Sequence, residues 1–253
     1  MSLKETIKSL PLLGPLALKA FRFVYHRLPT SYPGSPRAAV EVMRQLSLAV
    51  EYAYGAEVEG DVAEFGVMSG RTALTLAAAM REMEAYGRPP RRLHLFDSFE
   101  GLPEPTAAAD RDSVHVRSGA WSAGACKVVT PERLETMFRG RAPGGGLSVW
   151  EGWFKDTVAN LPPEARFALL HLDCDLYEST LDALEPLFAS GRISQGAILL
   201  FDDWNCNRAD PRFGQQRAWT ELCARHAVRS SDQGAYAVFG RRLIVHDYAR
   251  KPL

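Results

Sequence analysis

The sequence predicts an α/β fold, a doubly wound and mostly parallel sheet with helices on both faces. Two observations carry this reading. Short apolar runs recur along the chain (Asp61 to Val67, Arg92 to Asp97, Leu147 to Trp150, Arg166 to Asp173 and Gln195 to Phe201), each followed by a helix-like stretch. Short apolar runs so bounded read as buried parallel strands, and successive βα units build a parallel sheet covered on both sides. The tail from Ala235 to His246 reads instead as two strands joined by a tight turn at Gly240-Arg241-Arg242, so one strand enters antiparallel.

Taken in order, residues 1–28 read as a partly amphipathic helical segment packed on the main domain. Its apolar stretch from Leu10 to Ala17 is broken by Pro11, Gly14 and Pro15 and is too short to span a bilayer. Leu28 to Pro36 is crowded with Pro, Gly and Ser and reads as a loop. A helix follows from Arg37 to Tyr54. Residues 1–56 thus form a helical extension with a lid loop, and residues 57–253 the main domain. The first strand leads into a helix rich in Ala and Leu, Arg71 to Tyr86. After the second strand, Ser98 to Val129 is irregular and too long for an idle connector, which marks it as a lid or binding loop. A helix from Pro131 to Arg139 precedes the third strand, and a helical turn from Thr157 to Leu161 precedes the fourth. Helices from Tyr177 to Ser190 and from Gln215 to His226 flank the fifth.

Composition bounds the function. The 253 residues suffice for one such domain with extra elements, and 30 basic residues balance 30 acidic ones. That balance gives no electrostatic case for nucleic acid. No segment is long enough to cross a membrane, and no signal peptide opens the chain, so the expected location is the cytoplasm. Cys126, Cys174, Cys206 and Cys223 show no CxxC spacing; reduced thiols are the better reading than disulfides in such a chain. Homo-oligomerisation is left open.

The fourth and fifth strands each end in two carboxylates, Asp173 with Asp175 and Asp202 with Asp203. Ligands of open α/β sheets sit outside the carboxyl ends of the strands. Four acids converging there repel one another unless a cation sits between them, and a hard divalent ion with oxygen ligands, Mg²⁺ above all, fits. The first strand runs into Glu64-Phe65-Gly66-Val67-Met68-Ser69-Gly70-Arg71-Thr72. Gly66 allows close backbone approach, and Ser69, Gly70 and Thr72 open the next helix with its amides toward the ligand. The spacing is not GxGxxG, so a dinucleotide is poorly supported. Glu64 suits an ammonium or sulfonium group, and Asp97, ending the second strand, suits ribose hydroxyls. Together they favour a nucleoside without phosphates, and S-adenosylmethionine fits.

These segments resemble the cation-dependent sugar O-methyltransferases typified by macrocin O-methyltransferase and the enzymes acting on mycinose-type and novobiocin sugars. The likeness runs through Gly60-Asp61-Val62-Ala63-Glu64-Phe65-Gly66-Val67, Phe96-Asp97-Ser98-Phe99-Glu100-Gly101-Leu102-Pro103, Glu151-Gly152-Trp153-Phe154-Lys155-Asp156-Thr157, His171-Leu172-Asp173-Cys174-Asp175-Leu176-Tyr177-Glu178-Ser179-Thr180 and Phe201-Asp202-Asp203-Trp204, in the right order over residues 60–220. The resemblance implies the seven-stranded methyltransferase sheet of class I. It assigns Asp173, Asp202 and Asp203 to Mg²⁺ and Asp175 to base catalysis. It adds Ser98, Glu151 and Gly152 to the cofactor side, with a small hydroxylated acceptor, a sugar first, as the partner. His171 reads as a core or supporting residue rather than a ligand, and His115 as a solvated histidine of the lid, with a part as reserve base the second reading. Trp121, Trp153 and Trp204 are candidates for the acceptor pocket. A catechol-type O-methyltransferase would use the same metal logic, and a non-catalytic nucleoside-binding protein would not need all six acids. A phosphoester hydrolase lacks its basic phosphate clamp.

Overall fold

The computed structural model describes residues 36–250; the helical segment read in residues 1–28 and the loop up to residue 35 lie outside them. Seven strands form one sheet: β1 (Asp61–Phe65), β2 (Leu93–Asp97), β3 (Leu147–Glu151), β4 (Phe167–Leu172), β5 (Ile193–Phe201), β6 (Arg229–Tyr236) and β7 (Gly240–Asp247). Their order is β3-β2-β1-β4-β5-β7-β6, and all neighbours pair in parallel except those of β7. The doubly wound, mostly parallel sheet is therefore present, with seven strands as the resemblance implies. The chain winds outward from β1 in both directions, so the crevice between the β1 and β4 tips is the topological switch point where such sheets bind ligands.

The principal helices are α1 (Pro36–Gly55), α2 (Arg71–Ala85), α5 (Pro131–Phe138), α7 (Tyr177–Ala189) and α8 (Gly214–His226). Between β2 and β3 come two short ones, α3 (Ala108–Arg111) and α4 (Val114–Arg117), so the segment read as irregular carries local helix. Phe154–Thr157 forms α6, and the turn expected over Thr157 to Leu161 follows it as a 3-10 turn, Val158–Asn160. In α1, Val42, Leu46, Ala49, Val50 and Ala53 recur at three- and four-residue spacing and are buried, which packs this helix on α2 and the sheet. The described residues form one compact unit that begins at Pro36.

On one face of the sheet Leu170, Leu172, Leu199 and Phe201 pack against Leu184, Leu187 and Phe188 of α7 and Trp219 and Leu222 of α8. Each such buried side chain contributes roughly 1.5–3 kcal/mol. Strand alternation sends Glu64 and His171 to the opposite face, where Ala168 meets Ala53 of α1.

The hairpin departs from the sequence reading in its turn. Tyr236 pairs with Gly240, so the turn is Ala237-Val238-Phe239, and Arg241 and Arg242 lie within β7. Ala237 takes the left-handed position at φ 49°. Gly240 is needed for another reason: a Cβ there would lie 2.3 Å from the Tyr236 ring.

Candidate active site

Backbone ladders carry the acids to one level. The Asp173 N–H donates to the Phe65 carbonyl and the Asp202 N–H to the Leu172 carbonyl, both beyond the last ladder residues of β4 and β5. Gly66 turns the chain away at φ 89°, and a Cβ on it would fall 1.8 Å from the Asp173 carbonyl oxygen. The chain's own backbone, rather than a ligand, already demands glycine there. Asp175 sits at φ 59°, a left-handed conformation that turns the chain from β4 into α7.

The four aspartates lie close enough to perturb one another. Burial first, then the charges of Asp202, Asp203 and Asp175, hold the Asp173 carboxyl well above the usual carboxylate range. Asp203 is raised well above it too, by burial and then by Asp175 and Asp202. Asp175 is pushed to about 7 by burial and by Asp202. Among the described residues no ion pair reaches Asp173, Asp175 or Asp203. Removing such groups from water without a counter-charge is costly, and a divalent cation is the chemistry that would let them ionise together. The donor set fits one: a ring nitrogen of His171 and carboxylate oxygens of Asp173 and Asp202 lie within 4.8 Å of one another. Asp203 is turned differently. Its Oδ2 accepts from the Asp175 N–H at 3.1 Å, its Oδ1 faces Cys206 Sγ at 3.7 Å, and its N–H donates to Gln215 Oε1 at 3.0 Å.

Glu64 is fully buried, and its Oε1 accepts from His171 Nδ1 at 2.8 Å. Among the described residues Glu64 Oε2 and His171 Nε2 find no hydrogen-bond partner. Burial works to lower the His171 pKa, but the hydrogen bond and charge of Glu64, then the charge of Asp202, raise it overall. Asp97 holds the β1–α2 loop: Oδ2 accepts from the N–H groups of Val67 at 2.7 Å and Met68 at 3.1 Å, and Oδ1 from Phe99 at 2.6 Å. An ionised carboxylate has about four acceptor positions, so roughly one is left for a ribose hydroxyl. Ser98 Oγ is engaged with the Gly101 carbonyl and the Glu100 N–H. Glu151 pairs in register with Asp97 and is exposed beside it, and the Gly152 N–H donates to the Asp97 carbonyl. Gly70, at φ 75°, caps α2 without a side-chain hydrogen bond, and Thr72 lies in its first turn beyond Ser69. The expected cofactor residues thus line the tips of β1, β2 and β3, beside the acids.

Sequence reasoning missed three supports. Tyr236 donates its hydroxyl to Asp202 Oδ1 at 3.1 Å, so the hairpin reaches the site. Gln215 bridges, accepting from the Asp203 N–H and donating to the Leu172 carbonyl at 2.9 Å. Asn207, in a left-handed turn with Arg208 and Ala209, holds His115: Oδ1 accepts from the His115 N–H at 3.0 Å. His171, read from the sequence as a core or supporting residue, lies two residues before Asp173 and so on the same side of the chain; the three missed residues carry no such signal. His115 also stacks on buried Trp121 with centroids 4.5 Å apart, whereas Trp204 packs edge-on against Phe201 in the core. Trp153 caps α6.

The sheet order and the chemistry of its tips define the fold of class I S-adenosylmethionine-dependent methyltransferases. Residues 36–228 match the family described as Macrocin-O-methyltransferase (TylF). The chain belongs to this family. A relative from Streptomyces olivaceus, 8-demethyl-8-(2,3-dimethoxy-alpha-L-rhamnosyl)-tetracenomycin-C 4'-O-methyltransferase, is 37% identical over 164 residues, 63% of this chain and 58% of that protein. Mycinamicin III 3''-O-methyltransferase from Micromonospora griseorubida is 30% identical over 166 residues, covering 64% of this chain and 62% of that protein. The matches span less than two thirds of the length of these relatives. The solved structure of the O-methyltransferase NovP superposes with a TM-score of 0.63 at 25% identity, covering 82% of this chain and 81% of that one. The calicheamicin methyltransferase CalS11, at 22% identity and a TM-score of 0.58 over 96% of this chain and 89% of that one, shares the fold. Among the described residues no helix is long and apolar enough to cross a membrane.

Proposed function

We propose that this chain is an S-adenosylmethionine-dependent O-methyltransferase that uses a divalent cation, Mg²⁺ in the first instance, to methylate a sugar hydroxyl of a glycosylated natural product. The observation that carries the reading is the group of four buried or half-buried aspartates at the switch point of the sheet, in which burial and neighbouring carboxylates raise Asp173, Asp175 and Asp203. The named substrates of the relatives, a rhamnosyl tetracenomycin and a mycinamicin among them, support a sugar acceptor over a catechol. The intact acid set speaks against a merely nucleoside-binding role. The four free cysteines suit a cytoplasmic enzyme.

Asp173, Asp202 and Asp203 would hold the cation, which when bound polarises the acceptor hydroxyl and fixes its direction. Asp175 would accept the hydroxyl proton. Bound S-adenosylmethionine would supply the methyl group to that oxygen, with S-adenosylhomocysteine as the leaving product. Glu64, Asp97, Glu151 and the open start of α2 would seat the cofactor, with Gly66, Ser69, Gly70, Thr72, Ser98 and Gly152 shaping the backbone around it. Alignment of the two reactants would supply much of the acceleration.

The test is methyl transfer from labelled S-adenosylmethionine to a panel of deoxysugar glycosides and catechols, before and after EDTA treatment and dialysis. Transfer to a glycoside that disappears on chelation and returns with Mg²⁺ is expected. Full activity after chelation would overturn the cation's part, and transfer to catechols alone would overturn the acceptor class.

A further inference from the structure

We propose that His171, held by Glu64, is itself a ligand of the cation, so that the site binds first-row transition dications more tightly than Mg²⁺. The proposal rests on the cation-site reading above and changes its ligand set. Three observations meet in it. His171 is wholly buried, yet among the described residues Nε2 has no hydrogen-bond partner. Its other nitrogen is paired with the Glu64 carboxylate at 2.8 Å. A ring nitrogen of His171 lies within 4.8 Å of oxygens of both Asp173 and Asp202.

Metal-bound histidines characteristically donate their second N–H to a carboxylate, which fixes the tautomer, aims the ring and raises its basicity. A carboxylate only accepts, so Nδ1 carries the hydrogen toward Glu64 and leaves the Nε2 lone pair for a Lewis acid. Donors on opposite sides of one ion at ligand distances of about 2.1 Å are roughly 4.2 Å apart, and the three atoms are already close to that span. Strand geometry explains their convergence. Asp173 follows the end of β4 two residues after His171 and shares its face, and Asp202 follows Phe201, the β5 partner of Leu172. Among the described residues no second cluster of three such donors exists. A buried imidazole aimed at nothing would cost the fold a lost hydrogen bond; as a ligand it is satisfied.

The chemical consequence is selectivity. Oxygen donors alone suit Mg²⁺, whereas an imidazole beside two carboxylates favours Mn²⁺, Fe²⁺, Co²⁺ or Ni²⁺. Glu64 is then a positioning residue for the metal rather than the partner of the cofactor's charge.

The experiment loads the full chain with Mn²⁺ and records electron spin-echo modulation, once with natural-abundance histidine and once with ¹⁵N-histidine. A directly bound imidazole nitrogen, whose modulation changes with the label, is expected. In competition titrations wild type should bind Mn²⁺ at least tenfold more tightly than Mg²⁺. His171→Gln should abolish the nitrogen modulation and shrink that preference. Glu64→Gln should retain the modulation while Mn²⁺ affinity falls by about 10–100-fold. Stoichiometric Mn²⁺ binding without label-sensitive modulation in wild type would overturn the proposal while leaving the cation reading intact. No Mn²⁺ binding at all would overturn both. The label swap uses unaltered protein, so the decision stands even if a variant fails to fold.

Discussion

Asp175 holds its carboxylate among the acids from a left-handed backbone position, φ 59°. Asp and Asn are the non-glycine residues that tolerate this conformation best. Asp175→Asn therefore removes the base without straining the turn. Its kcat should fall by about 10²–10⁴-fold, the usual share of a general base, with cation and S-adenosylmethionine affinities nearly unchanged. Isothermal titration alongside single-turnover kinetics checks this, and a rate within a few-fold of wild type would move the base elsewhere. Asp97 will not separate so cleanly, because its carboxylate also carries the Val67, Met68 and Phe99 amides. At this scale the sequence was informative about acids and mute about their neighbours. Aspartates at strand ends announce themselves by type and spacing. Gln215 and Tyr236 reach the site from residues distant in the chain, through contacts that only the tertiary fold creates.

The segment between β2 and β3 is moored at the start of α7. Asp110 is buried and accepts from the first amides of that helix, Tyr177 N–H at 2.7 Å and Glu178 N–H at 3.1 Å. Glu178 returns the contact, accepting from the Thr106 and Ala107 amides and the Thr106 hydroxyl. Asp110 thus caps α7 from outside it, beside the positive end of the helix dipole. Asp110→Ala should cost about 0.5–2 kcal/mol, as lost caps do, and should open the segment to protease between Ser98 and Val129. Calorimetry and limited proteolysis together test this; unchanged melting and cleavage would mean that the segment is held by other contacts, such as buried Trp121. The five parallel strands and the long helices were legible to within a few residues because buried runs and helical spacing are local signals, whereas β6, mostly exposed and polar, was read only from Ala235 although it starts at Arg229. The hairpin turn was misplaced because Gly240 reads as a turn residue while in fact it makes room for the Tyr236 ring. The short α3 and α4 are set by tertiary docking, which local spacing does not encode.

For the whole molecule, the acid cluster couples stability to protons and cations. Asp173, Asp175 and Asp203 have folded-state pKa values above their ordinary 3.8, with Asp175 at about 7. The folded chain therefore binds more protons than the unfolded one between the ordinary carboxylate range and about 7, and stability falls as pH rises through that window. His171, also raised, acts in the same direction. The cation-free protein should melt at a lower temperature at pH 8 than at pH 6, and saturating divalent cation should narrow or reverse the gap by replacing the protons. Melting scans at both pH values, with EDTA or Mn²⁺, test this. A cation-free protein more stable at pH 8 would show that the acids are not mutually strained.

The strand ladder does not end where the strands do. Gly66 donates to the Phe96 carbonyl, Asp173 to Phe65, Asp202 to Leu172 and Asp203 to the Gln215 side chain. In terms of deuterium uptake, the four amides that bracket the proposed reaction centre belong to the slow class. They should exchange with the central strands rather than with the loops around them, since protection follows the free energy of opening. The reaction centre would then be a floor that does not breathe during turnover, and substrate traffic would fall to the segments above it.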